Sequence, residues 1–224
     1  MIYTVLFSQL NKTNIPAAGG KGANLGEMIT AGFSIPDGFV LTTAAYDAFV
    51  QANGLQQQII DLAHTASADN PQSGEDASEK IRALFMQGDI ADDLVQEITT
   101  AYSQLTQDNG NAVAVRSSAT AEDLPTASFA GQQDTFLNIQ GNDALLDAVK
   151  KCWASLWTAR AISYRMRQGI DPASVSLVVV VQQLIPADVA GILFTANPVN
   201  GERDQVLINA TWGLGEEIVG GQVT

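Results

Sequence analysis

The sequence predicts an α+β protein of two lobes, and three observations carry that expectation. Helix-spaced apolar stripes alternate with short β-branched or alternating runs, a turn signal near the end joins two strand-like runs, and no segment repeats. The chain has 224 residues, 46% of them hydrophobic, which is enough to bury a substantial core. The expected division is an N-terminal lobe over residues 1–110, with a glycine-rich lysine loop, and a second lobe over 111–224.

Each element has its own reason. Residues 3–6 read as a short strand, 16–22 as a Gly/Ala loop, and 23–29 as a helix that stops at Gly32. After Pro36, residues 38–42 read as a second strand. Thr42 or Thr43 is placed to cap a helix with Tyr46, Phe49 and Val50 on one side. Residues 64–78 are polar and read as a solvated connection. Asp89 is a plausible N-cap for a helix striped by Ile90, Leu94, Val95, Ile98, Tyr102 and Leu105, ending at Asn109-Gly110. An apolar strand leads to Arg116, a loop of small residues follows, and residues 134–139 alternate like a strand. Asn142 opens what reads as the longest helix, with Leu145, Val149, Trp153, Trp157, Ala161 and Tyr164 on one face, closing near Gly169. Arg160, Arg165 and Arg167 near its end suit the helix dipole and cover apolar surface with their stems. Residues 176–182 form a β-branched strand, and 191–195 pair with 205–209 across a turn at Asn200-Gly201.

Composition excludes several classes of function. There are 11 Lys+Arg against 24 Asp+Glu, a formal charge of −13, and such a field repels nucleic acid and anionic membranes as a whole. No aromatic-basic patch points to nucleic acid either. One cysteine, Cys152, lies in an apolar helical pattern and gives neither a disulfide framework nor a thiolate metal site. No targeting signal or apolar run of about 20 residues is visible, so a cytoplasmic protein is expected. The one histidine, His64, sits in the polar connection and reads as a surface residue.

Sorting the 11 basic residues by context leaves two. Lys80, Arg82, Lys150, Lys151, Arg160, Arg165 and Arg167 fall on predicted helices, and Lys12 and Arg203 near exposed turns. Lys21 and Arg116 each stand where a strand gives way to Gly, Ala or Ser, so that backbone N–H groups can approach a phosphate closely. Two readings are open for each. Lys21 is a phosphate ligand or a solvated loop lysine, and its Gly19-Gly-Lys-Gly22 setting is not a Walker A loop, since Gly22 stands where Ser or Thr is needed. Arg116 is a phosphate clamp or a salt-bridged strand end.

A resemblance bears on this choice. Gly19-Gly-Lys-Gly-Ala-Asn-Leu-Gly-Glu-Met28, Ile35-Pro-Asp-Gly-Phe39, Ala114-Val-Arg-Ser-Ser-Ala-Thr-Ala-Glu-Asp123 with Ser128-Phe-Ala-Gly-Gln132, and Gly213-Leu-Gly-Glu216 stand in order along nearly the whole chain. Together they resemble the nucleotide-binding domain shared by phosphoenolpyruvate synthases, pyruvate phosphate dikinases and rifamycin phosphotransferases. The resemblance implies a two-lobed ATP-grasp fold holding ATP between its lobes. It places the family's phosphate-contacting lysine on Lys21 and its arginine on Arg116. A lid over the phosphates falls on 117–131, including Gly131, and a nucleotide-facing position on Thr135. The adenine-side strand and hinge fall on Gln182, Gln183, Leu184 and Ile185, whose backbone would read the base edge. Glu216 matches a position near ribose and phosphates, although a carboxylate after glycines also suits a helix start.

The resemblance also implies what this stretch lacks. The family's Mg²⁺ ligands and a further phosphate-binding arginine lie in a segment expected beyond residue 224, so the ATP-grasp domain is expected to be truncated at its C-terminal end, with no metal ligand of its own. The partner implied is a phosphohistidine carrier domain of the same full-length protein, which takes a phosphoryl group from ATP and hands it to pyruvate or a rifamycin. A phosphoenolpyruvate synthase-like enzyme is favoured, with rifamycin phosphotransferase next and a nucleotide-binding module without activity of its own as a third reading. The 224 residues alone are expected not to turn over, because phosphoryl transfer needs metal to neutralise charge.

Overall fold

The computed structural model describes residues 2–67, 69–107, 111–119 and 135–219, and the chain divides into two compact units, 1–184 and 185–224. It is an α+β protein. In the first unit β1 (Thr4–Leu6), α1 (Ile15–Thr30), β2 (Gly38–Leu41), α2 (Thr43–Ala52), α3 (Gln56–Ala63), α4 (Pro71–Gln87) and α5 (Asp92–Thr106) precede β3 (Val113–Ala119) and β4 (Thr135–Ile139). Then come α6 (Asn142–Ser155), α7 (Ala159–Gln168) and β5 (Leu177–Gln183). The five strands make one antiparallel sheet in the order β1-β2-β5-β3-β4. It runs across the lobe boundary expected at 110/111, since β2 pairs with β5.

Strand alternation gives the sheet two apolar faces. Phe39, Leu41, Val113, Val115, Val179 and Val181 enter the main core under the helices, where Tyr46, Phe49, Phe85 and Trp153 meet in stacked, tilted and edge-on pairs with ring centroids 5.0–6.4 Å apart. Val40, Val178 and Val180 face the other way, against Phe7, Leu10 and Ala18. β5 is buried on both faces, which explains its unbroken run of β-branched residues.

Several expected elements differ, each for a local reason. Residues 16–22 are not a loop: α1 starts at Ile15 with Pro16 in its first turn, and the glycine run is reduced to one non-helical residue, Gly19, at φ 65 and ψ 165. The polar stretch up to residue 78 is not wholly a solvated connection, because α4 begins at Pro71 and buries small residues, Gly74, Ala77 and Ser78, along with Ile81 and Phe85. Thr42 stands at the cap position of α2, but its hydroxyl donates to the Ile2 carbonyl instead. Asp89 does not cap α5. Asn53 clamps it, donating to its carbonyl at 2.9 Å and accepting its N–H at 3.0 Å, and the helix starts at Asp92 after Ala91. The expected end of that helix at 109–110 lies outside the described residues.

The long helix expected from Asn142 is two. Thr158 caps α7 by accepting from the Ala161 N–H, and α7 closes on Gly169 at φ 65. Arg165 is not a surface side chain: it is buried and donates to the Leu156 carbonyl at 2.6 Å, just past the end of α6. Cys152 is buried, as expected, and His64 is exposed at the end of α3.

The second unit carries the expected antiparallel pair, β6 (Val189–Phe194) and β7 (Leu207–Trp212), followed by the short α8 (Glu216–Val219). Asn200-Gly201 lies in a turn closed by hydrogen bonds from the Asn197 N–H to the Glu202 carbonyl and from the Gly201 N–H to the Asn197 carbonyl. Among the described residues no helix is long and apolar enough to cross a membrane.

Candidate functional site

Arg116 does not end its strand. β3 continues to Ala119, and Arg116 is paired with Val180 on one side and Thr135 on the other. Because directly opposed residues share a face, Val5, Val40, Val180, Arg116 and Thr135 form one row across the sheet on the α1 side. The apolar members are covered; Arg116 is half-buried and Thr135 exposed at the edge strand.

Ser118 follows two residues after Arg116 and so lies on the same face, fully buried. Its Oγ accepts from the Lys21 N–H at 3.4 Å, and a Cβ on Gly19 would come within 2.6 Å of that oxygen. The break at Gly19 therefore serves two purposes. It lets α1 approach β3 closely, and it gives the segment after it a helix N-terminus of its own, with Gly20, Lys21 and Gly22 in the first turn. Lys21 is thus helical rather than in a loop, half-buried, and held two residues along β3 from Arg116.

The other end of the same face carries Gln182, paired with Gly38 and Ala114, its amide donating to the Pro36 carbonyl at 3.1 Å. From Ser118 to Ala114 the face extends roughly 13 Å along the strand. Gln183 faces the opposite side, where its amide donates to the Leu105 carbonyl at 2.9 Å. Its N–H donates to the Asp37 carbonyl, and that of Leu184 to the Ala112 carbonyl. The division between units falls immediately after Leu184, inside the expected hinge. Exposed Ile185 and Glu216, the latter at the first position of α8, belong to the second unit. Gly131 and most of the expected lid lie outside the described residues.

Arg116 has no side-chain hydrogen bond or ion pair among the described residues. A guanidinium, a lysine and a helix N-terminus on one sheet face form a surface able to hold several anionic oxygens. The donor set fits a polyphosphate. It contains no metal site: among the described residues no group of three or more His, Cys, Asp or Glu side chains could hold an ion. The sequence reading held Gly19 and Ser118 in its motifs but not the contact between them, although period-two alternation from Arg116 puts Ser118 on the same face.

Known proteins resemble the chain over nearly its whole length. A family model described as pyruvate phosphate dikinase, AMP/ATP-binding domain, matches residues 15–224, and the chain belongs to that family. It is 43% identical to the phosphoenolpyruvate synthase of Pyrococcus furiosus over 253 residues, covering 97% of this chain and 31% of that protein. It is 47% identical over 220 residues to the phosphoenolpyruvate synthase of Aeropyrum pernix, covering 96% of this chain and 27% of the relative. A probable phosphoenolpyruvate synthase of Methanothermobacter thermautotrophicus is 45% identical over 225 residues, with 99% and 33% covered. The chain thus spans about a third or less of the length of these relatives.

Proposed function

We propose that the chain is the ATP-binding part of a phosphoenolpyruvate synthase-like dikinase with an ATP-grasp fold, and that the α1-side face of the sheet holds the polyphosphate. The observation that carries this is Arg116, a half-buried cation without a protein partner among the described residues, two positions along β3 from the serine that docks Lys21. Arg116 presents a planar fork to phosphate oxygens, Lys21 a mobile point charge, and the helix start beside it oriented N–H groups. Together they neutralise and orient the polyphosphate where charge builds during transfer. Thr135, in register with Arg116, borders the same nucleotide. The backbone of Gln182, Gln183 and Leu184 lies on the adenine side.

Mg²⁺ supplies charge neutralisation on the phosphates when bound; its protein ligands lie outside the described residues. The phosphoryl acceptor is a histidine on a carrier domain of a longer protein, and pyruvate the final acceptor. The names of the relatives support pyruvate over a rifamycin.

Calorimetry tests the core of this reading. Arg116→Ala is expected to weaken ATP binding about tenfold or more, the effect of losing one charged contact to phosphate, with stability changed by less than about 1 kcal/mol. Unchanged affinity in a folded variant overturns the role of Arg116. AMP release by the 224 residues alone would overturn the view that further segments complete the reaction.

A further inference from the structure

On the helical side of the sheet lies a second arginine whose setting the nucleotide site does not explain. Arg165 on α7 is 3% exposed. Its guanidinium stacks 4.6 Å over the Trp157 ring and donates from Nη2 to the Leu156 carbonyl. No carboxylate stands within ion-pairing distance of it among the described residues. A one-acceptor setting leaves four of a guanidinium's five donors without a protein partner among the described residues. Among the described residues none of its nitrogens is sealed off without a partner, and Arg165 borders an open space.

That space is a cavity of about 530 Å³ between the C-terminal ends of α3 and α7 and the short turn at Pro172–Ser174. Trp157, Ile162, Met166 and Ile170 give it an apolar wall. Two titratable groups besides Arg165 border it, His64 at the end of α3 and Asp171. The Asp171 carboxylate is already turned toward its own backbone, accepting from the Ala173 N–H at 2.8 Å. Desolvation pulls Arg165 down to about 10, which leaves it charged at neutral pH. The Leu156 carbonyl and the Trp157 face offset part of that charge, but neither is an anion.

We propose that this cavity binds a small organic anion, a single carboxylate or phosphate monoester on an apolar body, with Arg165 anchoring the acidic group and Trp157, Ile162 and Met166 enclosing the rest. Asp171 disfavours a densely charged ligand such as a polyphosphate, which separates this site chemically from the α1-side face. Arg165 lies on a helix packed on the opposite side of the sheet, so the two sites do not share a ligand.

The test is an NMR titration of the 224-residue chain with three probes, benzoate, phenyl phosphate and inorganic phosphate, following the Trp157 indole N–H and the Arg165 Nε–H. Saturable shifts at both groups are expected with benzoate or phenyl phosphate, and the stronger of the two identifies the head group. Inorganic phosphate is expected to bind at least about tenfold more weakly, because it buries no apolar surface. Arg165→Met should abolish the response, and because that change risks the fold, exposed His64→Glu provides a second arm. It adds a negative charge at the cavity and should weaken binding about fivefold while the chain stays folded. No saturable shift with either aromatic probe overturns the proposal. Equal binding of inorganic phosphate, or affinity unchanged in folded His64→Glu, overturns it as well.

Discussion

Replacing Gly19 by alanine attacks the contact that holds Lys21 beside Arg116. The residue sits at φ 65 and ψ 165, a region open essentially to glycine alone, and an alanine there costs about 1–3 kcal/mol in backbone strain. The new methyl would also stand 2.6 Å from Ser118 Oγ and 3.3 Å from Ser118 Cβ and its carbonyl oxygen. The hydroxyl can rotate away, but then the Lys21 N–H loses its acceptor, a loss of about 1 kcal/mol. The backbone carbonyl cannot rotate away, so some displacement of α1 from β3 persists. A total of about 3 kcal/mol is expected, which for a chain of this length lowers Tm by roughly 6–12 °C.

Urea denaturation measures the cost, and two companion variants divide it. Gly32→Ala, at φ 85 with no atom within 4 Å of the new Cβ, carries the strain of a positive φ alone and should cost about 1–2 kcal/mol. Ser118→Ala removes the oxygen that the Gly19→Ala methyl strikes, so the double variant should recover about 1 kcal/mol relative to the sum of the singles. ATP affinity should fall in Gly19→Ala at temperatures where it is fully folded, because Lys21 shifts away from the Arg116 row. Stability within about 0.5 kcal/mol of the parent, or a strictly additive double variant, would refute the packing argument.

Two further substitutions probe the scaffold. Gly26→Ala sets helix propensity against sterics: alanine is favoured by about 1 kcal/mol in a helix, but its Cβ would clash with the Leu10 carbonyl oxygen, so a net loss of about 2 kcal/mol is expected in chemical denaturation. Tyr46→Phe removes the acceptor of the buried Trp157 N–H at 3.0 Å and should cost about 1–3 kcal/mol. Burial holds the Tyr46 phenol un-ionised well above its ordinary 10.0, so its contribution is complete below pH 10 and is lost as pH rises beyond it. In an absorbance titration, Tyr46→Phe should therefore leave the native ionisation signal near pH 10 unchanged and lower that of the unfolded chain by one tyrosine.

Where the signal is local, the sequence was legible. The valines of β5 and the stripes of α2 and α5 stand where their periods put them, because apolar spacing and burial coincide there. α4 was hidden because part of its buried face is Gly74, Ala77 and Ser78, residues that read as loop until a neighbouring helix closes on them. The break between α6 and α7 depends on a cap at Thr158 and on Arg165 reaching back to Leu156, a tie across nine positions. For the candidate site, motifs singled out Lys21 and Arg116, but their common face follows from the register of β3 on β5 and one positive φ at Gly19. Neither is written in any short window. The opposite orientations of Gln182 and Gln183 could have been read from strand period alone.

The two arginines expose a limit of composition as a guide. The chain carries 24 acidic residues against 11 basic ones. Arg116 and Arg165 have no carboxylate partner among the described residues, yet they lie on different faces of one sheet and in different surroundings. Arg116 is half open, beside a helix N-terminus that favours clustered negative charge. Arg165 is enclosed by apolar side chains, which favour a hydrophobic body, and the helix C-terminal ends nearby disfavour dense negative charge. The sheet and its core clusters lie between them. Any coupling between ligands at the two arginines must therefore pass through packed valines of β5 rather than through direct charge, and whatever factor it has acts equally in both directions.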